Sequence, residues 1–95
     1  MEFGDDDIIV PIIVWTETNY ERAVALSEDG MPETFADWQK ELAVAKSGLP
    51  AGAKIIEIKA DPDEVAEWCR RNRGQVTTKD RAAFAIYQFQ RDYGV

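Results

Sequence analysis

Apolar residues recur along this chain with two different periods, and the change from one to the other predicts the order of its elements. Ile8-Ile9-Val10-Pro11-Ile12-Ile13-Val14-Trp15 is apolar throughout and rich in β-branched side chains, the pattern of a strand buried on both faces. Pro11 has no amide proton to give to a ladder, which places the strand at a sheet edge or interrupts it there. An edge of this kind would be covered by another element or another subunit. Farther along, Lys54-Ile55-Ile56-Glu57-Ile58-Lys59 alternates, so Ile56 and Ile58 turn inward while Glu57 and Lys59 meet water.

Elsewhere the period lengthens to that of a helix. Thr18-Asn19-Tyr20-Glu21 has the spacing of a capping box and opens a short helix over residues 18–28, with Tyr20, Ala23, Val24 and Ser27 on one face. The alternation of Tyr20, Val24 and Leu26 with charged neighbours keeps a strand open as the alternative. Thr34-Phe35-Ala36-Asp37 is a second box-like start. It leads into a helix reaching about Lys46, in which Phe35, Trp38, Leu42 and Ala45 form the apolar stripe before Ser47-Gly48-Leu49-Pro50 stops it. The clearest helix runs from Asp61 to Gly74. Asp61 caps it and Pro62 suits its first position. Asp63 and Glu64 complement the positive end of its dipole, and Arg70, Arg71 and Arg73 the negative end, before Gly74 closes it. Val65, Trp68 and Cys69 give it one narrow apolar face. The last helix starts at Thr77-Thr78-Lys79-Asp80 and reaches about Tyr93, with Ala82, Ile86, Phe89 and Tyr93 in one stripe and Phe84 and Tyr87 off it. So broad an apolar surface means packing on two sides or a face kept for a partner.

The resulting order, β-α-α-β-α-α, defines a small helix-rich α+β domain. It is a single domain over residues 1–95, with residues 1–7 as a flexible acidic leader in which Asp5 to Asp7 guard the first strand against aggregation. A sheet of two strands is marginal alone. Extension across a homodimer through Ile8–Trp15 would remedy that.

Composition narrows the chemistry. The chain has no histidine and one cysteine, which excludes an internal disulfide, cysteine metal clusters, the usual zinc sites, and triads or dyads that rely on histidine. The expectation is a protein without catalytic residues, cofactor or metal site. Asp61, Asp63 and Glu64 offer three carboxylates to a hard cation, yet the helix start accounts for all of them. Cys69 has arginines beside it, but the C-terminal end of a helix disfavours a thiolate, and a buried inert thiol is the simpler reading. Gly48 and Gly52 lack the lysine of a phosphate loop and precede a strand instead of a helix. The start of the chain is acidic where a secretory signal is basic, and the run from Ile8 to Trp15 falls far short of the roughly 20 apolar residues that span a bilayer. A cytoplasmic protein with no membrane partner is expected.

The net charge of −7 is unevenly distributed. Residues 1–37 hold ten acidic residues against one basic, Arg22, whereas residues 38–95 hold eight acidic against ten basic. Within the second part Arg70, Arg71, Arg73, Lys79 and Arg81 cluster around a helix-to-helix turn, with Asp80 among them and Trp68 just before. These six, the five cations and Trp68, are the candidate binding residues. An arginine corner beside a helix start can hold phosphate or carboxylate; the competing explanation is dipole compensation plus pairing with Asp63, Glu64 and Glu67.

Three stretches together carry a resemblance: Pro32-Glu33-Thr34-Phe35-Ala36-Asp37-Trp38, the Asp61-Pro62-Asp63 helix with its Trp68-Cys69, and Asp80-Arg81-Ala82-Ala83-Phe84-Ala85. In this order they resemble a group of short bacterial proteins built around a domain of unknown function, over about residues 17–90 and without the first strand. The resemblance implies a bacterial protein, brings no activity with it, and marks Trp68, Cys69 and Arg81 for attention. The residues themselves point to a non-catalytic protein–protein interaction module, such as an adaptor, regulator or inhibitor. Its acidic half would mask a basic surface on its partner. Nucleic-acid binding through residues 70–81 is the first alternative and a carboxylate enzyme using a divalent metal the second.

Overall fold

The computed structural model describes residues 8–94; the expected leader, residues 1–7, lies outside them. Six elements follow in the expected order: β1 (Ile8–Val14), α1 (Tyr20–Leu26), α2 (Phe35–Ser47), β2 (Ala53–Lys59), α3 (Pro62–Arg73) and α4 (Thr78–Tyr93). The strands pair in parallel, Pro11 opposite Ile56 and Ile13 opposite Ile58, and make up a two-stranded sheet. Parallel strands need a crossover connection, which α1 and α2 provide. Each strand is an edge, the setting that tolerates Pro11 in mid-strand.

Residues facing each other across a ladder share a side of the sheet. Ile13 and Trp15 therefore join Ile56 and Ile58 on the buried side, against which α4 packs. Val10, Ile12, Val14 and Ile55 share the other side and are half-buried, while Ile8 is exposed. Uniform hydrophobicity in β1 had suggested burial on both faces. Only Ile13 of its seven residues is fully buried, because one layer of helices covers one face. From the sheet outward the order is α4, then α3, then α1. Val65, Ala66 and Cys69 of α3 meet Phe84, Ala85 and Phe89 of α4 in the centre.

Local chemistry sets the helix ends. The Asp61 carboxylate accepts the Glu64 amide proton at 3.4 Å, Pro62 opens α3, and Gly74 ends it at φ 82°, a conformation that costs glycine nothing. Thr77 and Asp80 form a complete capping box on α4. At α1 the expected Thr18–Glu21 box is not made. Thr16 and Asn19 bind each other instead: the Thr16 amide donates to Asn19 Oδ1 at 2.8 Å and the Asn19 amide to Thr16 Oγ1 at 3.2 Å, so the helix starts at Tyr20. The strand alternative for residues 18–28 falls with it.

The stripe on α4 also differs from expectation. Of Ala82, Ile86, Phe89 and Tyr93, only Phe89 is buried; Ile86 is 49% and Tyr93 38% exposed. Asp80 is buried in the first turn, and Phe84 follows one turn later on that side, so the helix turns its Asp80–Phe84 flank inward and leaves Ala82, Ile86 and Tyr93 as an apolar ledge. α2 departs further, since none of its residues is buried. It is held at its N-terminal end by an aromatic cluster in which the Tyr20 ring lies 5.9 Å from Phe35 and 5.6 Å from Trp38. The Tyr20 hydroxyl donates to the Pro32 carbonyl.

These differences in burial set measurable stabilities. Phe84→Ala should cost about 3–5 kcal/mol in chemical denaturation. Val44→Ala, at a position of α2 that is 71% exposed, should change stability by less than about 0.5 kcal/mol.

Candidate functional site

The arginine corner is the natural starting point, and its charges are largely spent within the fold. Arg73 Nε donates to the buried Asp80 carboxylate at 3.0 Å. Arg71 pairs with Glu67 one turn earlier on α3. Arg81 has a side chain only 11% exposed and donates to Asp29 at 3.1 Å, Ser27 at 2.8 Å and Thr78 at 3.0 Å. Arg70 and Lys79 are exposed. Trp68 is half-buried, its ring 5.7 Å from Phe84 and 5.2 Å from Tyr87. Asp63, expected as a partner for the α3 arginines, pairs with Arg22 of α1 at 2.7 Å.

Local spacing assigns no binding role to Glu28 and Asp29. In the structure they grip the start of α4. The Glu28 amide donates to the Val76 carbonyl at 2.8 Å, and the Val76 amide returns a bond to the Glu28 carboxylate at 2.6 Å. Asp29 accepts from the Thr78 amide and hydroxyl, both at 2.6 Å, as well as from Arg81. Some fifty residues of sequence separate the partners, so no spacing rule reveals them.

Charge states follow from these contacts. Burial pushes the Asp29 carboxyl up, but Thr78 and Arg81 outweigh it and hold the group below its ordinary value of 3.8. The Thr77 hydroxyl and Arg73 hold Asp80 below that value despite the opposing effect of burial. Burial pushes the Cys69 thiol up, and the Asp80 charge adds to this against the pull of Arg81, Arg73 and Arg70. Burial likewise raises the Tyr20 phenol, with help from Glu41.

The clasp also shapes one side of a pocket of about 350 Å³ between β1, α2 and α4. Its walls are Ile12 and Ile13 of β1, Trp38, Leu42 and Ala45 of α2, Ala82 and Ala85 of α4, and Met31 with Pro32 from the loop. Three polar side chains reach it: Thr78, Arg81 and Glu41. Thr78 and Arg81 are engaged with Asp29. A carboxylate held below its ordinary value is a poor base, so the Thr78–Asp29 pair is ill suited to activate a nucleophile. Glu41 remains as an exposed carboxylate at the rim, and no cation of the described residues lies within ion-pair distance of it. The arrangement suits holding an apolar group. A second cleft of about 360 Å³ opens on the other flank of α2, beside Val14 and Glu57. Among the described residues no group of three or more His, Cys, Asp or Glu is placed to hold a metal ion, and no helix is long and apolar enough to cross a membrane.

The depressed carboxylates fix the sign of an acid response. A group whose folded value lies below its unfolded value contributes stability above the unfolded value, about 3.8 here, and loses it as pH falls through the lower folded value. Acid titration followed by circular dichroism should therefore show stability falling below about pH 3.8. Asp29→Asn and Asp80→Asn should each lower stability at pH 7 and flatten that fall. The Cys69 thiol, fully buried and raised, should react with a thiol-specific reagent in the native protein only as fast as the fold opens. Comparison with family models, with curated proteins and with solved structures finds no match to this chain, so the reading of its site rests on the geometry above.

Proposed function

We propose that this chain is a non-catalytic protein–protein interaction module whose docking face is the pocket between β1, α2 and α4. One observation carries the proposal: α2 presents a regular apolar stripe yet buries none of its residues, leaving Trp38 and Leu42 over an apolar pocket of about 350 Å³. That volume lies at the low end of the range for ligand pockets, enough for one or two large side chains of a partner. Tryptophan and bulky apolar groups at the centre of a patch with a polar rim are the usual anchors of protein interfaces. Nucleic-acid binding through residues 70–81 ranks lower, because Arg71, Arg73 and Arg81 are already paired with carboxylates and little positive charge is left for phosphates.

Affinity capture with the wild-type chain and with Leu42→Glu tests the reading. Leu42 is half-buried in a helix without buried residues, so the variant should keep its fold, checked by thermal melting. The expected result is a discrete protein partner that survives nuclease treatment and is lost with Leu42→Glu. Recovery of nucleic acid that disappears when Arg70 and Arg71 are reversed in charge would replace this reading with the nucleic-acid one.

A further inference from the structure

Charge is arranged unequally around α2. On a helical wheel of about 100° per residue, Asp37 and Glu41 lie together on one flank of α2; Glu41 lines the β1–α4 pocket with Trp38 and Ala45, and Asp37 sits one turn before it, beyond the edge of that lining. The opposite flank carries Lys46, which sits 4.0 Å from Glu57 of β2. Both carboxylates help to raise the Tyr20 phenol, which burial raises first and whose ring lies 5.6 Å from Trp38. Neither has an ion-pair partner among the described residues. Lys40 lies farther round the helix, beyond Asp37. The arginine in the pocket wall is neutralised by Asp29 at 3.1 Å. The rim on the α2 side is thus negative, beside an apolar floor.

The floor extends beyond the pocket. Ala82 lines it, and Ile86 and Tyr93 continue the same side of α4 at spacings of four and seven residues. The eleven residue steps from Ala82 to Tyr93 correspond to about 16 Å at about 1.5 Å per residue, roughly three helical turns. An apolar ledge of this length, ending in a pocket between two helices, matches a docked helix whose anchors repeat every three or four residues.

Resting on the interaction reading above, we infer that the occupant is a basic amphipathic helix of a partner protein: a bulky apolar anchor fills the pocket under Trp38 and Leu42, further apolar residues follow the Ala82–Ile86–Tyr93 ledge, and flanking lysines or arginines meet Asp37 and Glu41. Charge complementarity selects this partner over a neutral or acidic helix. Lys79, exposed at the head of α4, and Lys40, three residues after Asp37 on α2, are cations that oppose it.

The probe is a 16-residue helical peptide with leucines at positions i, i+4, i+7 and i+11 and lysines on its flanks, compared with the same peptide carrying glutamates instead. Binding is read by fluorescence anisotropy and by the emission of Trp38, with Trp38→Phe as the control that assigns the signal. The lysine peptide should bind and weaken as salt is raised; the glutamate peptide should not bind. Asp37→Lys with Glu41→Lys should weaken the lysine peptide roughly tenfold or more, as two rim pairs turn from attraction to repulsion. Lys79→Glu should tighten it, and Leu42→Glu should abolish binding. All four positions are exposed or half-buried, so their variants remain folded. Equal binding of the two peptides would overturn the charge selection while leaving the docking face standing. Absence of binding by either peptide, with a dimer seen in sedimentation that Leu42→Glu dissociates, would overturn the helix partner and assign the groove to a second copy of this chain. Absence of binding, with a monomer unaffected by Leu42→Glu, would overturn both this inference and the docking face.

Discussion

The two-way clasp between residues 27–29 and residues 76–81 is the constraint on which the rest of the structure depends. It joins the end of α1 to the start of α4 by the Glu28 amide on the Val76 carbonyl, by the Val76 amide on the Glu28 carboxylate, and by the Asp29 carboxylate on Thr78 and Arg81. Beside it, Arg73 and Thr77 hold the buried Asp80. Charge-assisted bonds of this type are stronger than neutral ones, and removing one member strands a charge in a place water reaches poorly. Once α4 is fixed there, its Phe84–Phe89 face is aimed at the sheet and α3, and the small core closes around Val65 and Cys69.

The clasp also explains why α2 stands apart. With α1, α3 and α4 locked to one another and to one side of the sheet, residues 30–52 have to arch around β1 to reach β2. The Tyr20–Phe35–Trp38 cluster anchors the start of α2, and the Lys46–Glu57 pair is its contact farther on. A helix with clefts on both flanks is the part of such a fold with fewest contacts to lose, and so the part that opens at least cost. That property, a liability in a core, suits a wall that adjusts to what it holds.

Much of the fold was legible from the sequence because its cues are local. The Asp61-Pro62 start and Gly74 stop of α3, the start of α4 at Thr77–Asp80 and the alternation of Ile56 and Ile58 act within a few residues, and the structure realises each of them. The candidate site was only partly legible. Trp38, Leu42 and Ala45 were recognised as one face of a helix, but periodicity reports which side is apolar and not whether anything covers it. The arginine cluster was visible as a cluster, yet its meaning depends on Asp29, which lies 49 and 52 residues before Thr78 and Arg81. The α4 stripe was misassigned for a related reason. A buried aspartate at the start of the helix outweighed the hydrophobic pattern in setting which side turns inward.

Folding also sorts the charge that the sequence distributes unevenly. Arg22 takes up Asp63, Arg71 takes up Glu67, Arg73 takes up Asp80 and Arg81 takes up Asp29. Four of the cations are consumed in this way, three of them on carboxylates of the basic half. The acidic half keeps Glu17, Glu21, Glu33 and Asp37 exposed, and Glu41 follows on α2. The imbalance along the chain is thereby kept at the surface, as exposed carboxylates before and on α1, before α2 and on α2 itself. Surface charges of one sign raise the encounter rate of oppositely charged partners and repel like-charged ones before any contact forms. The latch that holds the core together therefore also sets the sign of the surface that remains, because each arginine spent on folding is one fewer to offset Asp37 and Glu41.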